Sequence, residues 1–188
     1  MSMQESLQLL GETTERAAKS VVEQYRAGAL SFEDMKVILR TLVELGTEQG
    51  RALGEASYIA HRLYEDADPT PVAAEYHEHF AAPADRLEKA VETILDGDPE
   101  VWATRLGRLA FSEPVEAGQR GLQQAMQEDR PKGGWSRGLE PSACELCRWW
   151  WREGRVFPNS HQMPTHKGCT CTPIPRPNVI PKPMGRTE

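Results

Sequence analysis

Along the first helical stretch, Ser6 to Arg26, apolar side chains fall at Leu7, Leu10, Ala17, Ala18, Val21, Val22 and Tyr25. That spacing follows a helix face and not the alternation of a strand. Gly28 marks its stop. Ser31 opens a second helix, with Asp34 three residues on, an arrangement like a capping box with Asp in place of Glu. Apolar positions at Met35, Ile38, Leu39, Leu42, Val43 and Leu45, then at Leu53, Ala56, Ile59, Ala60 and Leu63, carry this helix far beyond average length. At the helical rise it spans about 45–50 Å. Within it, Gly46, Gly50 and Gly54 recur at every fourth position. Each costs a helix interior about 1 kcal/mol relative to alanine, so the stripe predicts close approach of another backbone. The first helix of the same chain is the simplest partner; another subunit is the sharper alternative and a kink the third.

Asp66–Pro71 reads as a break. Pro71, Pro83 and Pro99 each stand where a first helical turn tolerates proline, and Asp98 suits an N-cap. The pattern predicts helices over 71–80, 84–95, 99–111 and 114–129, with Pro114 separating the last two and Ser112 as a cap. No strand pattern is seen before residue 130. Lys132, Gly133 and Gly134 read as a hinge-like linker. Five prolines fall between 173 and 183, a composition that favours extended polyproline II geometry and excludes a helix or a central strand. The predicted fold is mainly α: an elongated helical body (1–130), a small Cys/His module (131–175) and a Pro-rich tail (176–188).

Charge supports the division. The chain of 188 residues carries a net −6. Residues 1–130 hold 13 Lys/Arg against 24 Asp/Glu, a balance of −11; residues 131–188 hold 9 against 4, a balance of +5. An acidic body joined to a basic end implies two environments. No apolar run nears the ~20 residues of a membrane span, and the N-terminus lacks the basic and apolar regions of a secretory signal.

All four cysteines lie between 144 and 171. They are arranged as Cys144-Glu-Leu-Cys147, then 18 residues, then His166-Lys-Gly-Cys169-Thr-Cys171. A C-x-x-C turn lets two thiolates reach one tetrahedral ion, and the second half offers three further donors. Four ligands are needed and five candidates stand here: Cys144, Cys147, His166, Cys169 and Cys171, with His161 as a remote sixth. A closed four-ligand zinc site is structural, folding a segment too small for a core of its own. Disulfides or free thiols are the alternatives. Three tryptophans, Trp149, Trp150 and Trp151, lie between arginines; core packing with snorkelling arginines competes with stacking on single-stranded nucleic acid. His77 and His79 look like a metal pair, yet i and i+2 do not share a helix face. His61 reads as a half-buried helix histidine. No nucleophile elbow or phosphate loop is present, so no enzymatic activity is expected.

In order, Trp135-Ser136-Arg137, the C-x-x-C with a short helix, Arg155–Phe157, and H-x-x-C-x-C running into Thr172-Pro173-Ile174-Pro175 resemble the C-terminal module of MuF-like minor capsid (head morphogenesis) proteins of tailed phages, especially those of actinobacteria. The small residues of the Gly50–Tyr58 segment also resemble the helical part of that family. The Trp triplet and Pro158–His161 depart from its pattern. The resemblance implies a structural protein of the phage head near the portal, present in the host cytoplasm during assembly and in multiple copies per head. It implies zinc on Cys144, Cys147, His166, Cys169 and Cys171, portal and/or major capsid protein as partners, and packaged DNA as a further contact of the basic module. Two other functions compete: a nucleic-acid-binding zinc-knuckle protein, and a capsid maturation protease, a label some family members carry although no protease residues are found here.

Overall fold

A computed structural model of the chain describes residues 2–65, 84–129, 133–177 and 179–181. It is mainly helical with one small sheet. Helix α1 (Met3–Arg26) starts at a complete capping box: the Ser2 hydroxyl accepts from Glu5 N–H and the Glu5 carboxylate accepts from Ser2 N–H. Helix α2 (Phe32–Glu65) follows Ser31, whose hydroxyl accepts from Asp34 N–H at 3.1 Å. Helix α3 (Ala84–Leu95) leads into a 3-10 turn, Pro99–Val101, capped by Asp98, and then into α4 (Trp102–Asp129). The expected helix at 71–80 lies outside the described residues.

The apolar stripes of the four helices meet in one core built from Ala18, Val22, Met35, Leu39, Leu87, Val91, Leu106 and Ala110, among others. Full burial of one such Leu stabilises by roughly 1.5–3 kcal/mol, so periodic apolar residues are enough to account for the bundle. Two expectations need correction. The break at Pro114 does not occur: α4 runs through it, and Ser112 is a buried helical residue, not a cap. A proline costs a helix the hydrogen bond to the residue four back, here the Ala110 carbonyl. Packing on both sides of α4 outweighs that loss. The second correction concerns the glycine stripe. Its main partner is α4, not α1. A Cβ on Gly50 would run into the Pro114 carbonyl, and one on Gly54 into the Gly118 carbonyl; Gly46 touches Pro114 and Thr14. Gly118 and Gly121 answer from α4, facing the carbonyls of Gly50 and Arg51. Two small-residue stripes thus interlock within one chain.

The C-terminal part forms an antiparallel sheet of order β2-β1-β3, with β1 at Gly134–Gly138, β2 at Val156–Pro158 and β3 at Thr172–Arg176. Helix α5 (Glu145–Trp151) stands between β1 and β2. The expected polyproline arm therefore begins as a strand. Pro173 and Pro175 are tolerated because β3 is an edge, where a missing N–H need not break a ladder. Nor are Gly133 and Gly134 an open hinge: a Cβ on either would strike the backbone of Arg176 or Phe157. Trp135, Phe157 and Met163 share a second core with Tyr58, Leu122, Ala125 and Met126, so the sheet is packed onto the ends of α2 and α4.

Candidate metal centre

Cys144 is the N-cap of α5 and Cys147 lies in its first turn, which puts two sulfurs at one end of one short helix. The opposing donors come from the turn His166–Cys169, closed by a Cys169 N–H to His166 carbonyl bond of 3.0 Å. Gly168 sits there at φ 80°, a conformation side chains resist. His166 Nε2 is 3.3 Å from Cys144 Sγ and 3.1 Å from Cys147 Sγ, and Cys147 Sγ is 3.4 Å from Cys169 Sγ. Two groups result, Cys144/Cys147/His166 and Cys147/Cys169/Cys171, each with donor atoms within 4.8 Å, and Cys147 belongs to both. Either group could hold a metal ion. Donors on a tetrahedral zinc, at about 2.0–2.3 Å from the ion, stand roughly 3.3–3.8 Å apart; the observed spacings are of that order. All four cysteines are free thiols, so the disulfide alternative is not the arrangement seen.

All five donors named from the sequence thus come together. His161 does not join them. Its ring stacks on Phe157 at 5.0 Å and on Trp135 at 6.1 Å, while its carbonyl accepts from Gln123 Nε2 and Trp135 Nε1. His77 and His79 lie outside the described residues. His61 is half-buried on α2, as expected.

The sulfurs differ in their electrostatics. Burial pushes the Cys147 thiol up to about 12. Cys171 is drawn down to about 5, first by the hydrogen bond from Cys169 and further by the Glu140 backbone, Cys147 and Arg137; Cys169, the donor in that pair, is raised. Cys144, at the surface, is lowered by the Cys147 backbone N–H. The cluster therefore favours anionic sulfur at its rim and at Cys171, the state a metal requires.

Several residues that shape the site were not singled out from the sequence as parts of it. Arg137 on β1 is only 2% exposed. Its Nη1 points at Cys147 Sγ (3.8 Å) and Cys169 Sγ (4.0 Å), its Nη2 donates to the Pro164 carbonyl, and it lies 5.2 Å from the Trp150 ring centroid. Helix α4 offers a ladder of glutamines. Gln119 Nε2 donates to the carbonyls of both Cys169 and Cys171 at 2.8 Å, Gln123 Nε2 to His161 and Gln127 Nε2 to Asn159, and Gln123 Oε1 accepts from Met163 N–H. Their i, i+4, i+8 spacing puts them on one helix face and was visible in the sequence. Glu113, buried on α4, pairs with Arg86 and with Lys167, the residue after His166. Burial raises its carboxyl, but the hydrogen bond and charge of Arg86, helped by Lys167, more than reverse this and leave it lowered.

The tryptophans divide. Trp150 packs on the centre, 6.2 Å from the His166 ring. Trp149 is 59% exposed, with the Arg152 guanidinium 4.2 Å from its ring centroid, and Trp151 is partly exposed. Core packing therefore accounts for Trp150 alone. Among the described residues no helix is long and apolar enough to cross a membrane.

No curated protein and no solved structure matches the chain. The family model described as VG15 protein matches residues 2–184, which takes in the helical body, the glutamine ladder and every donor of the cluster. On that match the chain belongs to the VG15 protein family, a family of phage proteins.

Proposed function

We propose that this chain is a non-enzymatic structural component of a tailed-phage head, a minor capsid protein of the MuF-like kind positioned near the portal and stabilised by one structural zinc ion. The observation that carries it is the phage family match spanning a helical body and a Cys/His cluster locked to that body. Cys144, Cys147, His166 and a thiol from the Cys169/Cys171 pair would hold the ion, which would tie α5 to the His166–Cys171 segment. A centre with four protein ligands leaves no position for a reacting water, which supports a scaffold over a catalyst.

The acidic body suits docking on portal or major capsid protein. The basic module, with Arg152 over exposed Trp149, favours packaged DNA as a second contact. That same feature supports the second reading, a nucleic-acid-binding zinc knuckle. Quantitative mass spectrometry of purified heads tests the first: multiple copies per DNA-filled head, lost when the gene is deleted and accompanied by defective heads, are expected. Absence from heads overturns it. Strong, salt-sensitive DNA binding by the free protein, without head incorporation, favours the second. Cleavage of capsid or scaffold protein on incubation would refute the non-enzymatic assignment.

A further inference from the structure

Arg137 is a permanent cation in a nearly water-free position, and a buried charge must be matched by an opposite one. Among the described residues no carboxylate forms an ion pair with it. Glu140, at the edge of the cluster, accepts from Thr170, and Lys167 is exposed and bound to Glu113 and Glu116. What faces the guanidinium, besides the Pro164 carbonyl and the Trp150 ring, is sulfur: Cys147 at 3.8 Å and Cys169 at 4.0 Å, with Cys171 beside them.

We infer that Arg137 is the charge partner of the metal centre and that it fixes the ligand set at His166 plus three thiolates: Cys144, Cys147 and one member of the Cys169/Cys171 pair. Three thiolates and a neutral imidazole around a divalent ion carry −1, which one guanidinium cancels. Four thiolates carry −2 and leave one buried negative charge unmatched. The other sulfur of the Cys169/Cys171 pair stands outside the ligand set. Arg137 touches no metal; it is a positioning residue, held by the Pro164 carbonyl and the Trp150 face. The inference rests on the cluster being a metal centre, as proposed above.

The experiment uses the full chain. Cobalt(II) replaces zinc, and the intensity of its thiolate-to-metal charge-transfer band counts cobalt–sulfur bonds; three are expected. In parallel, zinc affinity is measured by chelator competition for the wild type, Arg137→Lys and Arg137→Met, with helix content checked by circular dichroism. Loss of an outer-shell partner weakens binding by about 10–100-fold, which is expected for Arg137→Met, while Arg137→Lys stays within about tenfold of wild type. Four cobalt–sulfur bonds, or undiminished affinity in Arg137→Met, overturns the inference. So does equal damage in the Lys and Met variants, since a shape role alone would treat them alike. If Arg137→Met does not fold, the bond count on the wild type decides alone. A wild-type chain that binds neither zinc nor cobalt overturns the metal centre itself, a different result from a bound metal with four thiolates.

Discussion

Where α2 meets α4, contact is made by side chains that are absent: Gly46, Gly50 and Gly54 face Pro114 and Gly118, and backbone touches backbone. Around Cys147 the reverse holds. Among the described residues, the buried cluster at that site is small, Ala143, Cys147, Cys169 and Cys171, with Leu139 and Trp150 packed against it. The helical body can rest on area removed from water. The part of the module around the cysteines buries too little, and its interior is made of hydrogen bonds, sulfur and a cation. The two regions need different things to fold, and the interface between them joins an apolar patch, Trp135, Phe157 and Met163 against Tyr58, Leu122, Ala125 and Met126, to a polar seam of Gln119, Gln123 and Gln127 against module carbonyls. The metal end of the module is thus held by donors matched to buried carbonyls, while its sheet is held by apolar burial against the body.

Metal removal should split the regions furthest. Structural zinc contributes on the order of 10 kcal/mol to such modules. Four of the five tryptophans lie in the module, so chelation should change tryptophan fluorescence strongly while most of the helical circular dichroism survives. Joint loss of both signals would mean that body and module form one cooperative unit and do not fold on separate terms.

Gly50→Ala attacks the body alone. The new Cβ meets backbone that cannot step aside, and overpacking of this sort costs about 3 kcal/mol or more, roughly 6–12 °C in Tm for a chain of this size. Thermal melts should show that drop, while the metal content of the folded fraction stays at the wild-type value. Gln119→Leu targets the seam. It leaves the Cys169 and Cys171 carbonyls without their donor, at a cost of about 2 kcal/mol. Denaturant unfolding followed by tryptophan fluorescence should register the loss first in the module.

The smallest effect is expected at Glu113, where the body reaches the metal turn through Lys167. A carboxyl whose pKa falls on folding stabilises above its unfolded value, and that contribution fades as pH drops through the folded value. Wild type should therefore lose stability below the ordinary carboxyl value of 4.5. Glu113→Gln should be less stable near neutrality by about 1 kcal/mol, since both basic partners face solvent, and should approach wild type in acid. Denaturation midpoints at pH 7 and pH 3 make the comparison; a constant gap would show that Glu113 acts by packing only.

The helices of the body could be read from periodicity and caps because each is a local pattern: Ser31 and Asp98 sit beside the turns they cap, and a stripe at 3.6 residues needs no knowledge of its partner. The donors were legible for the same reason, since C-x-x-C and H-x-x-C-x-C are each one turn long. Pro114 misled because its local cost is real and only the packing of α1 and α2 against α4 overrides it. The strands were missed because Gly134–Gly138 and Thr172–Arg176 carry no apolar alternation. What makes them strands is pairing between segments more than thirty residues apart.

The sequence by itself determined where α1, α2 and α3 lie, which residues can bind metal, and that charge divides the chain. Tertiary structure alone decided that the glycine stripe receives α4, that Arg137 is sealed beside the sulfurs, and that three glutamines on one helix face bind the module's carbonyls. Local pattern sets the state of a segment because its energy is local. The choice of partner is set by fit and charge between distant segments, and that information exists only once the chain has closed on itself.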